Sequence, residues 1–135
     1  VRSSAASDVY KRQADCYEDV IEMILTGVLY RGEISTLMPK EKERDFGGIE
    51  VIRPFYLVHK QDLKEWNMEF GMVTGTKEDF SDQQEEVKRL LEKFENINPG
   101  IAANIFKSVE NVNLNTVIAY HTGMGLHSFL EDYEQ

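Results

Sequence analysis

A chain of 135 residues with 41% hydrophobic, 29% charged and 10% aromatic side chains can bury a core, which excludes wholesale disorder. Acidic residues outnumber basic ones by 24 to 15, a formal net charge of −9. That sign opposes long-range attraction to a nucleic-acid backbone or to anionic lipid, and it favours a partner with a basic surface. No apolar run reaches the roughly 18 residues of a membrane-spanning helix. The single cysteine, Cys16, excludes an internal disulfide and suits a reducing cytoplasm.

Val1 to Gln13 lack apolar periodicity and read as a disordered or non-native leader, residues 1–13, ahead of one α+β domain over 14–135. Within the leader, Asp8 to Gln13 (DVYKRQ) resembles the translated transposon end used to prepare sequencing libraries. The resemblance implies metagenomic DNA and a reading frame that runs off the end of a contig. A native, loose polar N-terminus is the other reading of the same residues. Setting aside the leader's three basic residues and one acidic residue leaves 12 against 23, a balance of −11.

Asp15 to Tyr30 forms the first helix, with Tyr17, Val20, Ile21, Ile24, Leu25 and Val28 in one stripe and Gly32 as its stop. Gly27 inside that stripe is a poor helix former, costing about 1 kcal/mol against alanine. Lys40 to Arg44 (KEKER) followed by Asp45-Phe46-Gly47-Gly48 reads as a solvated loop. Ile49 to Val58 is rich in β-branched and aromatic residues and predicts a strand, held to an edge or a bulge by Pro54. Trp66, Met68, Phe70 and Met72 alternate with polar residues or glycine, predicting the partner strand of a hairpin, with His59 to Glu65 as the connection and Gly75 to Phe80 leading onward.

Ser81 to Ile97 carries the strongest signal: Val87, Leu90, Leu91, Phe94 and Ile97 share a helical face, and Ser81 with Gln84 makes a capping box. Asn98 and Pro99 then serve as N-cap and first residue of a further helix that buries Ile101, Ala102, Ile105, Phe106 and Val109. From Leu114 onward, helical spacing predicts a helix kinked at Gly123 and Gly125, although Thr116 to Thr122 also fits a strand. The sum is an α+β fold: an antiparallel β-hairpin or small sheet packed against three to four α-helices, with a mainly helical C-terminal half.

No stretch names a reaction. His121 and His127 are six residues apart, which misses the i, i+4 pair of a helical zinc site, and Cys16 is distant from both. The Gly123-Met124-Gly125 pair lacks the third glycine of a phosphate cradle. Neither catalytic residues nor a cofactor or metal is therefore assigned. Tyr120, His121, His127 and Glu131 are the candidates for a ligand pocket. Asp82, Glu85, Glu86, Glu92 and Glu95 are the candidates for an acidic partner-binding face on the Ser81 helix. The expectation that follows is a small acidic cytoplasmic interaction protein, in its specific form a phage or mobile-element inhibitor. It would cover the basic, nucleic-acid-binding surface of a protein partner and would contact neither nucleic acid nor membrane itself. A small enzyme or ligand-binding domain with its pocket at the C-terminal His/Gly segment is the alternative, and a homo-oligomer joined through the Pro54 strand or its hairpin partner is a third arrangement.

Overall fold

A computed structural model describes residues 10–42, 49–71 and 81–133. The elements run β1 (Tyr10–Arg12), α1 (Tyr17–Thr26) with a π-helical turn over Gly27–Arg31, β2 (Lys40–Lys42), β3 (Glu50–Ile52), α2 (Lys60–Phe70), α3 (Asp82–Ile97) and α4 (Ile101–Glu110). A 3-10 turn over Leu114–Thr116, β4 (Ala119–Thr122), β5 (Gly125–Ser128) and a 3-10 turn over Phe129–Asp132 follow. The α+β class, with helices packed beside small sheets, is as the sequence reads.

The core forms where three apolar stripes meet. Val20, Ile21 and Ile24 from α1 are buried against Leu91 of α3 and Phe106 of α4, with Tyr17, Leu25, Tyr56, Ala102, Ile105 and Val109 packed around them. Burying each large aliphatic side chain stabilises the fold by about 1.5–3 kcal/mol, so α1 is the hub. Helix α3 begins as expected: Ser81 Oγ accepts from the Gln84 N–H, and Gln84 Oε1 accepts from the Ser81 N–H at 2.9 Å. Its register is also as expected at Val87 and Leu91, whereas Ile97 is 72% exposed and lies beyond the packed face. Helix α4 starts two residues later than the sequence suggests. Asn98 closes α3 and its Oδ1 accepts from the Gly100 N–H at 3.0 Å, so Pro99 lies in a turn and not in the helix.

Three readings of the chain are corrected by the structure. Lys60–Phe70 is a helix, not a hairpin connection followed by a strand; Met72 and Gly75 to Phe80 lie outside the described residues. The two-residue alternation of Trp66, Met68 and Phe70 coexists with a helical set, and Trp66 meets Phe70 one turn on at 5.6 Å between ring centroids. Second, the strand expected over Ile49 to Val58 shrinks to Glu50–Ile52 and pairs elsewhere, antiparallel to β2 and parallel to β1. The KEKER stretch thus supplies a strand at Lys40–Lys42, residues 43–48 lying outside the described ones, and the leader supplies another at Tyr10–Arg12, residues 1–9 lying outside them. Third, the predicted C-terminal helix is a hairpin in which Tyr120 pairs with His127 and His121 with Leu126. Gly125 takes a φ of 131°, a backbone that side-chain-bearing residues avoid, and so turns the chain where a helix would have had to continue.

Candidate functional site

Arg53 follows β3 directly and is only 6% exposed, in a sequence context (Ile52-Arg53-Pro54) otherwise apolar. A buried guanidinium must have its donors satisfied. Here Nε donates to Asp15 Oδ2 at 2.8 Å, Nη1 to the Met38 carbonyl at 2.6 Å, and Nη2 pairs with Glu41 Oε1 at 2.6 Å. Burial works against the charge, but the two carboxylates outweigh it and hold the pKa above its ordinary value. The clamp joins the segment before α1, the approach to β2, β2 itself and β3. Beside it, the Tyr56 hydroxyl donates to the Leu37 carbonyl at 2.8 Å.

Two hollows flank this junction. One, about 620 Å³, is lined by Asp15, Asp19, Glu22, Arg31, Ser81 and Gln84 among others. Burial, opposed by Lys88 and reinforced by Asp19, pushes the Glu22 carboxyl up to about 7. The other, about 560 Å³, has mainly apolar walls from Tyr56, Phe106 and Val109, with Arg53 and Thr36 at its polar side. Thr36 Oγ1 is shielded there with no hydrogen-bond partner among the described residues.

Cys16 stands at the start of α1, 1% exposed. Its thiol donates to Asp19 Oδ2 at 3.0 Å, with Glu18 Oε2 at 3.4 Å, and burial together with these carboxylates pushes its pKa up to about 12. It is a protonated structural thiol at neutral pH. Glu18 reaches across to α2, accepting from the Lys60 N–H at 2.8 Å and facing His59 Nδ1 at 3.0 Å. Burial pushes Glu18 up, but His59 and that N–H prevail and hold it below its ordinary value.

The residues singled out at the C-terminus are partly brought together. Tyr120 and His127 stack at 5.0 Å, and Glu131 Oε2 lies 3.8 Å from His127 Nδ1. His121 pairs with Leu126, so by strand alternation it occupies the opposite face of the hairpin. Asp82, Glu85, Glu86, Glu92 and Glu95 are all exposed on α3. Among them Glu86 accepts from the Tyr30 hydroxyl at 2.7 Å, and Glu85 pairs with Arg89 at 3.4 Å. Among the described residues no group of three or more His, Cys, Asp or Glu side chains could hold a metal ion, and no helix is long and apolar enough to cross a membrane.

A basic face escaped the sequence reading. Val51 is buried and pairs with Glu41, so the alternate residues Lys40, Lys42, Glu50, Ile52 and Arg12 share the other side of the sheet. Lys40, Lys42 and Arg12 are exposed there, with one carboxylate, Glu50, beside Lys40 at 2.9 Å. The signal was the K-x-K spacing of Lys40 and Lys42, legible as a strand's outer face only once the pairing is known.

No family model matches the chain. It is similar to the tRNA-cytidine(32) 2-sulfurtransferase 1 of Francisella philomiragia, 34% identical over 101 residues that make up 70% of this chain and 38% of that protein. The tRNA-cytidine(32) 2-sulfurtransferase 2 of Francisella tularensis subsp. tularensis is 32% identical over 102 residues, 71% of this chain and 39% of that protein. A third, the tRNA-cytidine(32) 2-sulfurtransferase 1 of Francisella tularensis subsp. holarctica, is 33% identical over 101 residues. The chain thus spans under two fifths of the length of these curated relatives. The similarity overturns the phage-inhibitor and interaction-protein reading, and with it the expectation of a basic protein partner and no direct nucleic acid. Net charge is a sum over the whole surface, and it does not exclude a contact through one small face. What the chain resembles is a set of enzymes named for modifying tRNA.

Proposed function

We propose that this chain is an RNA-facing part of a cytoplasmic tRNA-cytidine 2-sulfurtransferase-like protein. Similarity to three such enzymes over about 100 residues carries the reading. The outer face of the small sheet supports it, since Lys40 and Lys42 stand side by side where a phosphate backbone could lie across them. The sulfur-handling chemistry belongs to groups other than Cys16. A nucleophilic sulfur must be a thiolate, and this thiol is buried and held protonated by two neighbouring carboxylates. The role left to these residues is to bind and orient RNA, leaving transfer of sulfur to the cytidine ring to a group supplied from elsewhere.

Filter retention of an unmodified tRNA transcript by the full chain tests this. Retention should weaken with salt with a log–log slope of about −1 to −2, the mark of a few phosphate contacts. Lys40→Ala and Lys42→Ala should each weaken it for all RNA sequences alike and reduce the slope by about 1. Absence of retention at low salt, or retention indifferent to both substitutions, would overturn the proposal.

A further inference from the structure

Helix α2 is the one α-helix among the described residues with no buried residue. Yet it carries Trp66, Met68 and Phe70, which are 47%, 82% and 61% exposed. An isolated helix of this length is marginal in water, because nucleation is costly and the stability of short helices comes from packing an apolar face. Its first turn is tied to α1 through Glu18 and the Lys60 N–H, and Gly71 closes its end with a φ of 61°. Between those ends the edge-to-face pair of Trp66 and Phe70 forms a ridge that needs cover. The stretch shared with this chain is under two fifths of each curated relative, which leaves some three fifths of each outside it.

We infer that the Trp66–Phe70 ridge is a docking face for the portion of a sulfurtransferase-like protein that lies outside the stretch shared with this chain. The inference rests on the reading that the chain works within a larger RNA-modifying protein. An aromatic pair flanked on its helical face by the exposed Asp62 and Glu69 matches the make-up of interface centres, where aromatic anchors carry most of the binding energy. The acidic rim favours a protein surface over a polyanion as its occupant.

Trp66 is the chain's sole tryptophan, so its environment can be followed directly. In the chain alone, acrylamide should quench Trp66 freely at every protein concentration, and the α2 amides should exchange fast. In a full-length chimera, with this chain replacing the shared stretch of the Francisella philomiragia enzyme, those amides should exchange at least about tenfold more slowly. Fluorine NMR of a 5-fluorotryptophan label, read in a chimera whose other tryptophans are replaced, should report a shielded ring, and Trp66→Gln with Phe70→Gln should abolish the added protection. Shielding that rises with concentration in the chain alone would assign the ridge to a second copy and overturn the inference. Shielding at all concentrations would show it already covered, and unchanged exchange in a folded chimera would equally sink it. If the chimera does not fold, the chain-alone outcomes still decide. Transcript retention by Trp66→Gln should match the parent chain, so failure here is distinguishable from failure of the RNA reading.

Discussion

Glu22 illustrates how a single side chain couples this fold to pH. Burial against the α1 neighbourhood raises its pKa to about 7, above the ordinary value of 4.5. Between those values the folded state binds a proton that the unfolded chain has already released. The contribution to stability is therefore complete below about pH 4.5 and is lost as pH rises through about 7. Glu22→Gln, which mimics the protonated form, should remove that dependence. It should raise the melting temperature at pH 8 by about 2–4 °C and leave it nearly unchanged at pH 5, as read by calorimetry. An equal shift at both pH values would refute it. Individual roles of this kind were the least legible part of the sequence. Arg53 is a charge in an otherwise apolar stretch, and nothing local to it shows that Asp15 and Glu41 meet it. Glu18 and Asp19 follow Cys16 closely in sequence, and these two carboxylates hold its proton in the fold.

At the scale of elements, legibility followed how much each one depends on itself. Helix α3 carries its own cap, stripe and stop, and its bounds were readable from Ser81 onward. Helix α2 was mistaken for a strand because its apolar residues satisfy both periods and its ridge meets no core that would mark one face. The C-terminal hairpin was weighed against a helix on spacing alone, and the backbone freedom of Gly125 decided it. The end of α1 sets two local effects against each other. Propensity says that Gly27→Ala should stabilise a helix by about 1 kcal/mol. Geometry says otherwise: Gly27 is buried in the π-helical turn, and an added Cβ would sit 2.8 Å from the Glu33 carbonyl oxygen. Backbone cannot yield as a flexible side chain does, so overpacking should prevail, with a net loss of about 1–3 kcal/mol. The expected reading is a lower urea midpoint at unchanged slope, and a raised midpoint would show that the turn simply reverts to α-helix.

For the whole molecule, fold class was accessible from pattern and function was not. Helical stripes are written locally, whereas the basic face of the β1–β3–β2 sheet exists only after three separate segments have paired. An overall balance of −9 concealed it, since the many carboxylates lie largely on other surfaces such as α3. Arg53 binds those segments into one body, and its bonds span 38 residues to Asp15 and 15 to Met38. Such closures come late in folding, because chain entropy must first be surrendered over long loops. Removing the guanidinium should cost about 2–3 kcal/mol, less than for a fully sealed ion pair, since Asp15 and Glu41 keep some access to water. Stopped-flow measurements on Arg53→Ala should find unfolding faster by about 30- to 100-fold and refolding almost unaltered. Slowed refolding would instead place the clamp in the nucleus. The guanidinium then acts as a latch fastened last: the helical hub assembles first, and the small sheet with its basic outer face is the portion most readily opened and reclosed while the rest stays intact.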